Sequence, residues 1–396
     1  MKKIVSFVLF LLMCLLPLKA KIDVDLFGYF ESQLMGLNIN KEFIGLFSNK
    51  LRVDLKSRIS EKITFAANFN TILYHGRTVW NILDFLPDAA VTEVPEGMEP
   101  FYVLPFSDQY YLDNAYIKFA FKYFDLTVGK QQISLGTGYV WNPVDVYNIK
   151  DYLDPTYEQP GHNALRIDVP LGSSFTLTAL YSPENTWRES AKMVQIKGTI
   201  WRFDLAILAI EKSWVFHDYT DFDQDIMNFT ELPEQRQLLG FNTAGELFGV
   251  GVWVEFAYNW MEETENFYEL VVGADYTFDF QTYLMIEYYR STLARSSYED
   301  YTLNDWLRLM SQEQKALARD QLYILIQHPV SDLINLGISS IYCISDNSVA
   351  VVPTLNYSLS ENVDIMAYLN FNIGKEGKAY AHTRGIGGMI RVRVYF

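Results

Sequence analysis

Segments in which apolar and polar residues alternate at period two follow one another along nearly the whole chain, and the links between them sort by parity. Alternation of this kind sends successive side chains to opposite faces of a strand. The segments fall near 23–36, 48–58, 62–74, 109–121, 125–136, 162–170, 174–183, 191–201 and 203–214. They continue near 236–246, 249–260, 267–277, 280–291, 320–329, 333–344, 348–359, 362–373 and 384–396. Links from each even segment to the next odd one are all tight, as in "ISEK", "KYFD", "LGSS" and "LSEN". The long links, near 75–108, 137–161, 215–235 and 292–319, all run from an odd segment to the next even one. A sheet closed across a membrane sorts its loops in this way, whereas two soluble sheets have no reason to. The pattern predicts an all-β chain forming a transmembrane antiparallel β-barrel of about eighteen strands, with sixteen as the alternative. Short turns would face the periplasm and long loops the cell exterior.

The amino terminus agrees with export. "MKKIVSFVLFLLMCLLPLKA" has a basic start, an apolar run from Ile4 to Leu16, then Pro17 and the small residue Ala20. That is the plan of a secretory signal peptide occupying 1–20, with a single barrel domain at 21–396. Cys14 raises a lipoprotein alternative, but Met13 stands where a small residue is wanted. With Cys14 removed, Cys343 is the remaining cysteine, so neither an intramolecular disulfide nor a cysteine zinc site is available. Aromatic residues make up 16% of the chain, more than a globular core requires, and fit the girdles of a barrel. The competing fold is a secreted soluble all-β protein. It is disfavoured by the absence of a blade-length repeat and by strands with a single apolar face.

The last strand, "GGMIRVRVYF", sends Ile390, Val392, Val394 and Phe396 one way and Arg391, Arg393 and Tyr395 the other. The terminal Phe396 after alternating residues resembles the carboxy-terminal signal read by the bacterial barrel-assembly machinery. "VGKQQISLGTGYVWNPVDVYN" carries a second likeness. Its glycine, basic residue and glutamines, followed by a Trp-containing turn, resemble alginate-export-type barrels and related porin families. The resemblance implies a bacterial outer-membrane porin-type barrel.

Strand parity sorts the lumen. Arg52, Lys56, Arg58, Lys118, Lys122, Arg166 and Lys197, with Arg391 and Arg393 beside them on closure, form an expected basic wall, and Lys130 is a further candidate. Glu255, Glu269, Asp275 and Glu287 form an expected acidic wall. Opposed rows of charge in a watery channel would set up a transverse field that orients charged solutes. Removing Lys2, Lys3 and Lys19 with the leader takes the formal charge from −16 to −19. Much of that excess sits in long loops, at Asp84, Asp88, Glu93, Glu96 and Glu99, then Asp218, Asp221, Asp223 and Asp225.

The loop after the fifth strand is long enough to fold into the mouth. Tyr139, Trp141, Asp145, Tyr147, Asp151 and Asp154 are its constriction candidates, accompanied by Tyr152, Tyr157 and Glu158. An interface girdle is the competing role for its aromatics. In "TLNDWLRLMSQEQKALARD", Thr302 and Asp305 have capping-box spacing, and Leu303, Leu307 and Met310 share a helical face, predicting a short extracellular helix.

None of His75, His162, His217, His328 and His382 has a convincing serine partner in mid-strand, and no phosphate loop or metal-ligand spacing appears. The expectation is a non-enzyme without cofactor or metal: a porin-like channel for passive diffusion of small hydrophilic solutes, saccharides or anions. A non-conducting structural, adhesin-like or partner-binding barrel is the alternative. Expected partners are outer-membrane lipid and lipopolysaccharide, the barrel-assembly machinery and the small solute, with no nucleic acid. A homotrimer is compatible with a porin and is read from no particular residue.

Overall fold

A computed structural model describes residues 23–39, 42–150, 158–223 and 228–396. The expected signal peptide at 1–20, with Cys14, lies outside the described residues. Eighteen strands form one antiparallel sheet in which each pairs with its chain neighbours. They are β1 (Asp23–Ile39), β2 (Glu42–Ser60), β3 (Ile63–Gly76), β4 (Gln109–Ala120), β5 (Asp125–Gln132) and β6 (Gly161–Leu171). Then come β7 (Phe175–Ser182), β8 (Ala191–Ile200), β9 (Phe203–Asp223), β10 (Asn228–Leu247), β11 (Val250–Met261) and β12 (Phe267–Thr277). The remainder are β13 (Tyr283–Ser291), β14 (Asp320–Ser331), β15 (Ile334–Cys343), β16 (Ser348–Ser360), β17 (Val363–Ile373) and β18 (Ile386–Tyr395).

The sheet closes where β18 meets β1, in register from Tyr29↔Tyr395 to Asn38↔Ile386. Phe396 extends the seam, its amide and carbonyl each 3.0 Å from the backbone of Gly28. Closure removes the edge that would otherwise pair with other chains. Side chains then divide by parity. Ile390, Val392 and Val394 stay exposed on the outside, while Arg391 is buried inside against Glu31. Leu165, Ile196, Ile207, Leu239, Ile286 and Ile338 continue the exposed apolar band around the circumference. An apolar girdle of that extent is tolerable only against lipid. The fold is that of an outer-membrane β-barrel. Trp201 and Phe248 stand almost fully exposed at the tips of the β8–β9 and β10–β11 turns, with φ of 57° and 53°. The positive φ demanded by a tight hairpin turn places both rings at the short-turn rim, where girdle aromatics belong.

Three expectations are corrected. Residues 215–223 and 228–234 are not a loop but a paired continuation of β9 and β10, out to Asp223↔Asn228. Strand β5 ends at Gln132, several residues before 136, because the chain there turns inward. Lys122 lies beyond the end of β4, in a turn closed by the Phe121 amide on the Phe124 carbonyl, with its ammonium over Tyr123; it is not on the lumen wall. The helix, α1 (Leu303–Met310), has the expected capping box between Thr302 and Asp305. Its buried residues include Leu303, Trp306 and Leu307, whereas Met310 is exposed.

Ile286 points to lipid in mid-strand, so Ile286→Arg should cost about 2–4 kcal/mol of stability in bilayers. Denaturant unfolding in lipid vesicles measures it. A change near zero would place this face away from the membrane core.

Candidate functional site

The site begins with inward positions on β6 to β11 that are apolar where a watery lumen would favour polar groups. Ala164, Leu180, Met193, Leu208, Ile210, Leu238 and Ala257 are all buried, and Ile133, Leu135 and Val144 of the loop after β5 cover them. Small residues make room: a Cβ added at Gly240 would lie 2.5 Å from Val144 Cγ1. The loop therefore lies flat on one side of the lumen.

Two carboxylates hold it there. Glu255 on β11 accepts the backbone amides of Thr137 (2.7 Å), Gly138 (3.1 Å) and Val144 (2.8 Å). Glu287 on β13 accepts those of Tyr139 (2.5 Å), Val140 (2.8 Å) and Trp141 (3.1 Å), and the Trp253 indole N–H at 2.7 Å. Both side chains are fully buried. A buried carboxylate is costly unless its lone pairs are filled, and loop amides removed from water are costly unless they donate. Each set satisfies the other, forming an anion nest of loop amides to which the Trp253 indole adds one side-chain donor. Gly136 permits the approach: it has φ of 85°, and a Cβ there would sit 2.5 Å from a Glu255 oxygen.

The constriction candidates divide accordingly. Tyr139 stays half exposed, its ring 6.1 Å from that of Tyr323. Trp141 is buried and stacks on Tyr289 at 5.0 Å. Asp145 is buried and accepts the amides of Tyr147 and Asn148, and its burial raises its pKa from the ordinary value. Tyr147 packs beside His162 and under the Lys212 ammonium. Asp151 and Asp154, with Tyr152 and Tyr157, lie outside the described residues. Glu158, next in the chain, accepts from Tyr29 Oη (2.8 Å), Lys50 Nζ (2.8 Å) and Arg52 Nη1 (2.9 Å). From the foot of β6 it reaches β1 and β2 across the interior, so the loop touches both sides of the lumen.

Of the residues expected on an acidic wall, Glu255, Glu269 and Glu287 point inward and are buried. Glu269 is buried, bonded by the Tyr289 hydroxyl at 2.5 Å and Lys315 at 3.2 Å. Asp275, toward the rim, accepts from the Tyr283 hydroxyl. The residues of the expected basic wall other than Lys122 occupy inward strand positions, and several of their charges are paired locally. Arg52 contacts Asp54 and Glu158, Arg166 contacts Asp168, Lys118 contacts Asp125, and Arg393 contacts Glu31. Lys56 and Lys197, both exposed, have no carboxylate within ion-pair distance among the described residues, and the same holds for Arg58 near the turn end of β2. Lys130 falls on the outward parity of β5, its ammonium bonded to the Leu112 carbonyl. Arg52, Lys56, Lys118 and Arg166 line an open basin of about 500 Å3, together with Asn68, Asn114 and Gln131.

Above the lumenal loop, helix α1 and the 77–108 loop form a cap in which Leu83 and Tyr102 pack on Leu303 and Leu307. Glu93 accepts the Leu303 amide and Asp218 accepts from Asn304, so part of the acidic mouth is consumed in holding the cap. Among the described residues no three metal-binding side chains converge. The side-chain partners of His162, His217, His328 and His382 are an asparagine, glutamates, a threonine and a carbonyl, not a serine.

No protein-family model matches the chain, and no curated protein matches it. Among solved structures, Acinetobacter baumannii OccAB4 is similar over 94% of this chain and 98% of its own, with TM-score 0.57 and 9% identity. Vibrio cholerae OmpT, in its trimer form, covers 95% of this chain and 100% of its own, with TM-score 0.47 and 10% identity. A mutant Rhodopseudomonas blastica porin covers 94% and 100%, with TM-score 0.45 and 12% identity. At such identities the likeness concerns fold alone, and it is carried by the first: the chain shares the closed antiparallel β-barrel fold of OccAB4. The narrower resemblance to alginate-export-type barrels is not established by these matches.

Replacing Glu255 by Gln removes the charge and turns one acceptor into a donor facing donors. Hydrogen exchange at the Thr137, Gly138 and Val144 amides should accelerate about 5- to 150-fold, as a loss of ~1–3 kcal/mol requires. Unchanged protection would remove Glu255 as the anchor.

Proposed function

We propose that the protein is a passive diffusion channel for small hydrophilic solutes, with the lumenal loop as its constriction. The observation that carries this reading is the asymmetry of the interior. One wall is covered by the anchored loop, and the other keeps a polar, partly exposed basin around Arg52, Lys118 and Arg166. Such a lumen is narrowed without an apolar filling on every side, as a sieving pore requires.

Local pairing of the basic residues leaves a surface rich in donors and acceptors but close to neutral. It suits uncharged polar solutes such as saccharides, with a bias toward anions set by Lys56 and Lys197. In the same proposal lipid and lipopolysaccharide contact the apolar band, and the barrel-assembly machinery reads the closing strand at Phe396. A homotrimer is carried by the porin reading alone. The contrary reading, a non-conducting structural or adhesin-like barrel, draws on the cap formed by the 77–108 loop and α1.

Proteoliposomes should swell in small sugars, and a salt gradient should give a reversal potential of weak anion preference. The double variant Lys56→Glu, Lys197→Glu should move that potential toward cations, because charge in a narrow aqueous pore acts on passing ions. Absence of swelling by the folded protein would favour the structural reading.

A further inference from the structure

Between the lumenal loop, segment 312–316 and the inward faces of β9, β10, β12 and β13 lies a cavity of about 260 Å3. Its lining includes Lys212, Arg236 and Lys315 opposite Asp145, Glu269 and Glu313. The formal charges balance, but the hydrogen bonds do not. Asp145 is filled by the Tyr147 and Asn148 amides and the Asn148 side chain. Glu269 accepts from Tyr289 and Lys315. Glu313 is occupied by the His217 amide and ring and by the hydroxyls of Tyr219 and Ser311.

Donors are left over. Arg236 is 6% exposed; its Nε donates to Asn259 at 2.7 Å, and its guanidinium lies 4.3 Å from the Trp214 ring centroid. Its Nη2 is buried without a hydrogen-bond partner, the Glu269 carboxylate standing 3.7 Å away. The Tyr147 hydroxyl is likewise buried and unpartnered. Lys212 donates to the Val146 carbonyl at 2.8 Å, one bond for an ammonium with three protons. A buried guanidinium N–H left unmade is costly, and the space is many times what a single water needs.

We infer that this cavity is a binding site for one small anion, a carboxylate or an inorganic oxoanion, held by Arg236 Nη2 and the Lys212 ammonium. The aromatic faces around it are already taken: Trp214 by Arg236 and Tyr289 by Trp141. The ligand is therefore compact and hydrophilic, without a ring to stack. Because the anion would bridge the β9–β10 wall to the loop through Lys212 and its partner Val146, its occupancy also ties the loop down. The site is independent of whether the barrel conducts.

Isothermal titration of the refolded full chain in detergent, with sodium acetate and sodium phosphate in matched sodium chloride, tests this. One saturable site is expected, weakened tenfold or more by Arg236→Gln and by Lys212→Gln. Preference for acetate identifies a carboxylate ligand, and preference for phosphate an inorganic oxoanion. Heat-modifiable gel migration reports folding; Lys212→Gln loses one bond to a loop carbonyl and keeps the test available should Arg236→Gln misfold. No saturable heat with either anion, or wild-type binding in the folded variants, would overturn the inference.

Discussion

Burial of the Glu255 and Glu287 carboxylates under the backbone of one loop decides how the interior of this barrel is used. Neither partner is tolerable alone. A bare carboxylate at a fully buried position costs several kcal/mol, and amides withdrawn from water without acceptors cost about 1–3 kcal/mol each. Brought together, six loop amides and one indole fill both carboxylates. The apolar contacts of Ile133, Leu135 and Val144 follow from that placement, as does the stacking of Trp141 on Tyr289. The loop belongs to the β6–β13 wall, and the open space of the lumen lies toward β1 to β6.

Charge is distributed in a correspondingly local way. The expected transverse field needs two charged rows facing each other across water. Here Glu255 and Glu287 face loop backbone, Glu269 and Asp275 accept from side chains, and most of the basic row faces carboxylates on its own or adjacent strands, such as Asp168 for Arg166 and Glu31 for Arg393. Glu158 is the exception that links the two halves. It is the loop residue that reaches Lys50 and Arg52, so the loop touches both the apolar wall and the basic one. Such pairing helps fix the shape of the lumen, and opposite charges held in short-range pairs exert little field at a distance.

Much of this was legible because it rests on side-chain periodicity. Every strand was placed near its observed position, since a one-residue slip would send Ile390 or Leu165 to the wrong face. Helix α1 was readable from Thr302 and Asp305, whose capping geometry is local. Inward parity also put Glu255, Glu269 and Glu287 on the correct face. Their partners were out of reach because backbone amides have no residue code: any residue but proline at the donor positions carries one. The sequence does carry one signal of the covered wall. In "FDLAILAI" of β9 both faces are apolar, and a strand with lipid on one side carries apolar residues on the other only when something dry covers them. The paired run beyond Trp214 was obscured by its many aspartates, which read as loop and sit instead on a ribbon outside the membrane.

The proposed function is a conducting lumen narrowed by a loop anchored on two carboxylates. Single-channel recording of the wild type beside the double variant Glu255→Ala, Glu287→Ala tests it most directly. The account predicts discrete conductance steps for the wild type, and larger or rapidly fluctuating steps for a folded double variant whose loop is released. A folded wild type that never conducts, or a variant with unchanged conductance and noise, would contradict it.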